Sequence, residues 1–239
     1  MTETRDIGAP VPDWTAPPAP GPAVLEGRYA RLERLSVAAH AGALHRAYAV
    51  SDRVWDYLPY GPFASLEAYE GWMRATAAGD NPCFYAVKNL DSGAWEGVAS
   101  YLRIAPEAGS IEVGHLSFSP ALQRRRAATE AMVMMMRWAF EAGYRRYEWK
   151  CNALNRASRR AAQRLGLSYE GVFRQAGVMK GRNRDTAWFA AIDAEWPALE
   201  AAFDIWLAPE NFDAEGRQRV GLASLTAPVL VARDPVLDG

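Results

Sequence analysis

The stretch SIEVGHLSFSPALQRRRAATEAMVMMMRWAFEAG, residues 110–143, decides how this chain folds. SIEVGHLSF (110–118) has the β-branched and aromatic content of a strand, and the residues after it switch to helical spacing. The spacing predicts a helix over 123–142, closed by Gly143. Three arginines, Arg124, Arg125 and Arg126, gather near its N-terminus, where the helix dipole disfavours cations. A multiply charged anion held by side chains and free backbone N–H groups accounts for them. The plainer reading is three solvated helix-forming residues.

RRYEWKC (145–151) reads as the next strand. Strand, crossover helix and strand make a βαβ unit, so 110–118 and 145–151 are expected to be parallel neighbours. Upstream, ARLERL (30–35), CFYAVKN (83–89) and WEGVASYLRI (95–104) read as strands, and the last two form an antiparallel meander with 110–118. Helices are expected after Ser36 and over 65–79. Downstream come a helix over 155–166, two strands (YEGVFRQAGVMKG and DTAWFAAID) joined by a turn at GRNR, and a helix over 195–209. The fold class is α+β, a mixed but mostly antiparallel twisted sheet flanked by helices. Residues 1–24 are a Pro-rich extended arm, 25–209 one domain, and 210–239 a C-terminal extension.

Among the 239 residues, hydrophobic types make up 50% and charged types 23%, enough to bury a core. The formal net charge of −1 argues against nucleic acid as a partner, even with the Arg156–Arg164 face in view. Cys83 and Cys151 form no CxxC, and no leader-like start or long apolar run is present, so a cytoplasmic protein without a membrane partner is expected. His40, His45 and His115 lack metal-ligand spacing, and no metal is expected. The Met-rich run at 132–136 reads as core.

In order, the chain presents a strand with Glu112-x-Gly114, the turn Gln123–Ala128, a Thr129-Glu130-Ala131 helix start, Asn155-x-x-Ser158, and Leu165-Gly166 followed by Glu170-Gly171. This succession, from about 25 to about 196, resembles the GNAT superfamily of acyl-CoA-dependent N-acyltransferases, particularly the branch with the bacterial ribosomal-protein N-terminal acetyltransferases. The resemblance implies a parallel pair that splays at the acyl-CoA site and acetyl-CoA, or another short acyl-CoA, as co-substrate. It implies coenzyme contacts at Leu116, Phe118, Gln123, Arg124, Arg125, Arg126, Ala127, Ala128, Thr129, Asn155 and Arg159, with Ser158 near the sulfur. The family glycine of the pyrophosphate turn is replaced here by Arg126. Trp55, Tyr57 and Tyr60 fall in the loop that covers the acceptor in the family, and homodimers are common in this branch.

The acceptor is expected to be the primary amine of a small molecule, because Gly177 stands where the ribosomal-protein enzymes carry a Glu. A protein N-terminal acetyltransferase and a non-catalytic CoA-binding module are the alternatives. With that carboxylate missing, Glu112 is the expected general base and His115 its rival. The two differ in strand parity, so they share a side only if the strand is bulged. The plain alternative is a structural Glu112 and a packed His115.

Overall fold

Eight strands join in one sheet, in the order β1-β2-β3-β4-β5-β6-β8-β7, in a computed structural model that describes residues 8–76 and 79–237. β1 (Val24–Glu26), β2 (Ala30–Arg34), β3 (Cys83–Asn89), β4 (Ala94–Ala105) and β5 (Ser110–Phe118) run antiparallel to their neighbours. Between β2 and β3 lie α1 (Val37–Tyr48) and α2 (Leu66–Thr76). The crossover helix α3 (Arg126–Glu141) leads to β6 (Arg146–Asn152), parallel to β5 as the βαβ rule requires. Then follow α4 (Arg156–Arg164), the hairpin β7 (Ser168–Met179) and β8 (Arg182–Ile192), α5 (Trp196–Leu207) and the short α6 (Leu222–Thr226). The α+β class with a single parallel pair in the sheet is as the sequence indicates.

Side-chain alternation along β3 explains the layering. Cys83, Tyr85 and Val87 belong to the core under α3, whereas Phe84 and Ala86 belong to the core under α1 and α2. A strand buried on both faces reads as a continuous apolar run, as CFYAV does. The α3 stripe carries Met132, Val133, Met135 and Met136, all buried, so the methionines pack the core.

Several elements differ from expectation. β1 was not foreseen, since three residues give too little periodicity to read. The β7–β8 turn is Lys180–Gly181 rather than GRNR: φ is 49° and 71° there, the two left-handed residues of a tight hairpin turn. Residues 77 and 78, at the end of the expected second helix, lie outside the described residues. The arm from 10 to 22 has no helix or strand and lies along the surface, where the Pro18 and Pro22 carbonyls accept from the Tyr144 and Tyr85 hydroxyls at 3.0 and 2.9 Å. The C-terminal segment folds back on the domain: Leu222 and Thr226 are buried, and the Tyr169 amide donates to the Ala232 carbonyl at 3.1 Å.

The Thr-Glu-Ala start of α3 has a structural reason. The buried Glu130 carboxylate accepts the amides of Arg28, Tyr29 and Ala30 at 2.9, 2.6 and 2.7 Å, closing the β1–β2 turn onto α3. Gly27 is needed there, because a Cβ would come within 2.5 Å of that carboxylate. Glu130→Gln would set an amide against three donors and is expected to cost about 2 kcal/mol in urea unfolding; an unchanged unfolding midpoint would show that the turn does not depend on this carboxylate.

Candidate functional site

β5 and β6 pair over only four positions, from Ser110↔Arg146 to Val113↔Trp149. Beyond them β5 runs on to Phe118 and β6 to Asn152 without pairing to each other, which opens a cleft between parallel strands. The cause is local. The β4 register passes from Ser100↔Gly114 to Val98↔Ser117, so β5 holds one residue more than β4 across that step. His115 sits in the left-handed region with φ 51°, uncommon for a residue with a Cβ. The carbonyls on either side of the bulge are answered from the core: Ser100 Oγ donates to Gly114 at 3.1 Å and the Tyr48 hydroxyl to Ser117 at 2.8 Å.

The α3 N-terminus stands at the end of β5. Arg125 is its N-cap residue but makes no side-chain cap, and the amides of Arg126, Ala127 and Ala128 have no acceptor within the helix. Gln123 Nε2 donates to the Phe118 carbonyl at 2.9 Å and ties the turn to the strand. Arg124, with φ 61°, and Arg125 are exposed. Arg126 has turned away: it bonds Asp91 at 3.0 and 3.1 Å and lies 4.2 Å over the Tyr29 ring. Ala127, Ala128 and Thr129 are buried, and Thr129 Oγ1 accepts from Arg164 at 3.1 Å. Of the three clustered arginines, two face solvent beside the free amides and one is spent on structure.

The α4 N-terminus stands at the end of β6. Asn155 Oδ1 accepts from the Ser158 amide at 3.1 Å, an ordinary N-cap. Ser158 Oγ accepts from Trp149 Nε1 at 2.9 Å, which leaves the hydroxyl proton free to donate elsewhere. Arg159, an expected coenzyme contact, is engaged within the chain. Its guanidinium is 3% exposed, forms two 2.5 Å bonds to Asp234, and donates to the Ala153 carbonyl at 2.7 Å, so an internal carboxylate already neutralises it.

On the α1–α2 face, Glu112 is a buried ion-pair partner. Arg103 donates to Oε1 at 2.7 Å, and the Lys150 ammonium is 2.9 Å from Oε2. Both carboxylate oxygens are engaged by cations, an arrangement that gives Glu112 a structural role. His115 Nδ1 is 3.0 Å from the Tyr60 hydroxyl, with the rings nearly parallel at 5.6 Å. Burial, reinforced by Arg103 and Arg184, pulls the imidazole down to about 4, so it is neutral at physiological pH. Trp55 is a core residue, 3% exposed and edge-on to Tyr48 and Phe63, not an acceptor wall. Tyr57 is exposed and spans the cleft mouth, its hydroxyl 3.4 Å from the Leu154 carbonyl. Leu116 and Phe118, on the part of β5 that does not pair with β6, are half-buried.

Two partners escaped the sequence reading. Trp149 holds the Ser158 hydroxyl, and Lys150 holds Glu112. The alternation of Glu148, Trp149 and Lys150 across from Glu112 in the parallel register was the available signal.

A family model described as an acetyltransferase (GNAT) domain matches residues 31–168. A GCN5-related N-acetyltransferase from Brucella melitensis is 44% identical, with a TM-score of 0.89 over 91% of this chain and 100% of that one. A GNAT-family structure from Chromobacterium violaceum ATCC 12472 is 39% identical, with a TM-score of 0.77 over 83% of this chain and 100% of that one. The microcin C7 self-immunity acetyltransferase, solved with acetyl-CoA and AMP, shares the fold at 16% identity and a TM-score of 0.62 over 70% of this chain and 93% of that one. No curated protein matches. With the family model spanning more than half of the residues, and two structures well above 30% identity, this chain belongs to the GNAT family of N-acetyltransferases.

Proposed function

We propose that this chain transfers an acetyl or other short acyl group from acyl-CoA to the primary amine of a small molecule, by direct attack of the amine on the thioester. The observation that carries the reading is the cleft: β5 and β6 part after Val113 and Trp149, and both crossover helices begin at its open end. The residues fit the coenzyme. The uncapped first turn of α3 offers amides for a pyrophosphate, with Arg124 and Arg125 beside it as cations. The edge of Leu116–Phe118 that does not pair with β6 would run along the pantetheine, with Asn155 and Ser158 opposite. The likeness to a microcin-immunity enzyme solved with acetyl-CoA agrees with this, at the level of the fold.

Acyl-CoA supplies a thioester, an acyl group already activated toward amines. The protein's part is alignment and proton handling. Trp149 fixes Ser158 with its O–H free to be donated to the departing sulfur. Tyr57, bridging to Leu154, narrows the mouth of the cleft. His115 is ill-suited to deprotonate the incoming ammonium: moving a proton from an acid near ~10.4 to a base near 4 costs about 9 kcal/mol. The amine therefore reacts as its free base, and His115 can take the proton only once acylation has made the nitrogen far more acidic.

Calorimetric titration should find CoA binding, and Arg124→Glu with Arg125→Glu should weaken it about tenfold or more. Arg126→Lys should leave the affinity near that of wild type, because that side chain serves Asp91. Equal affinity in the double variant would remove the coenzyme from the α3 turn. With acetyl-CoA saturating, kcat/KM for a primary amine should climb about tenfold per pH unit from pH 6 to 9, following the free-base fraction. A profile flat above pH 5, or with an inflection near pH 7, would mean that an enzyme base removes the ammonium proton.

A further inference from the structure

β8 carries a guanidinium whose Nε is buried and unbonded among the described residues. Arg184 Nε is buried without a hydrogen-bond partner, and among the described residues the side chain makes no ion pair. Burial and the neighbouring Arg103 push its pKa down more than Glu112 and Cys151 raise it. The other cations nearby are satisfied: Arg103 has Glu112 at 2.7 Å, and Lys150 has Glu112 and Glu148 at 2.9 and 2.7 Å. A half-buried guanidinium that leaves an N–H unbonded is costly, and an acceptor of opposite sign on a ligand would compensate it.

Its place in the sheet shows where such a ligand would lie. The last β6 residue, Asn152, pairs with Thr186, so Arg184 stands just past the end of β6, beside the mouth of the cleft. Directly opposite on β7 is Gly177, which has no side chain to answer it. The charge of Arg184 is felt at His115, on the bulge where the amine must arrive. The guanidinium fork suits a planar carboxylate. With Arg103 and Lys150 already committed, a single negative charge fits better than a doubly charged phosphate.

We propose that Arg184 determines acceptor specificity by receiving a carboxylate of the substrate, so that the acceptor is an amine that also bears a carboxylate. This rests on the acyl-transfer reading above. The experiment follows thiol release from acetyl-CoA with a panel of α- and ω-amino acids, each matched with its carboxamide at equal free-amine concentration, and with plain alkylamines. Wild type is expected to prefer at least one acid over its amide by about tenfold or more in kcat/KM. Arg184→Met should bring that ratio toward one while CoA still binds, and Arg184→Lys, which keeps the charge without the fork, should fall between. Equal use of acid and amide by wild type overturns the proposal, as does a preference that survives Arg184→Met or turnover of alkylamines alone. Bound acetyl-CoA with no turnover of any amino acid also overturns it. Absence of CoA binding in wild type would instead overturn the acyl-transfer reading on which it rests.

Discussion

One extra residue in β5 sets the rest of the site. A regular strand at His115 would have continued the four parallel pairs with β6 and closed the sheet. Instead the backbone takes φ 51° there, a conformation that costs about 1 kcal/mol or more for a residue with a side chain. The surroundings hold it in place. Ser100 and Tyr48 answer the adjacent carbonyls, and His115 itself lies between Tyr60 and Phe84, 5.6 and 5.1 Å away. The strain is local, and its consequence is a gap between two parallel strands, lined by polar backbone and flanked by two helix N-termini. Ligands of open α/β sheets settle where neighbouring strands part in this way.

The chain's charges are sorted around that gap. Arg126 and Arg159, near the start of their helices, are neutralised by Asp91 and Asp234, whereas Arg124 and Arg125 remain exposed beside free amides. The Arg159–Asp234 pair is almost wholly buried, where desolvation offsets much of the attraction. Its effect is to anchor the C-terminal segment over α4 rather than to offer charge to a ligand. On the opposite face, Arg103, Glu112 and Lys150 satisfy one another, and Arg184 does not.

The fold was legible because its signals are local and periodic: the apolar run of β3, the 3.6-residue stripe of α3, and the glycine and N-cap punctuation of α4. The parallel pairing followed from the crossover rule. The site was legible only in outline. Residue type and order placed Ser158, Asn155 and the arginine turn near one another, but nothing in the sequence tells which arginine finds a carboxylate. Asp234 lies 75 positions from Arg159, and Asp91 lies 35 from Arg126, distances at which pairing is decided by topology. Glu112 was the favoured base for its place on β5; the parallel register, by bringing Lys150 beside it, makes it an ion-pair partner. The bulge carries only a weak sequence mark, since His visits the left-handed region more often than most residues with a Cβ but usually lies elsewhere.

Amide hydrogen exchange with and without saturating CoA tests the cleft most directly, since protection reports which backbone groups gain partners. The account predicts slowed exchange in 116–119, 124–129 and 153–158, with the outer strands β1 and β2 unchanged. Protection confined to other segments, or exchange unaltered while calorimetry records binding, would contradict the claim that the coenzyme lies where β5 and β6 part.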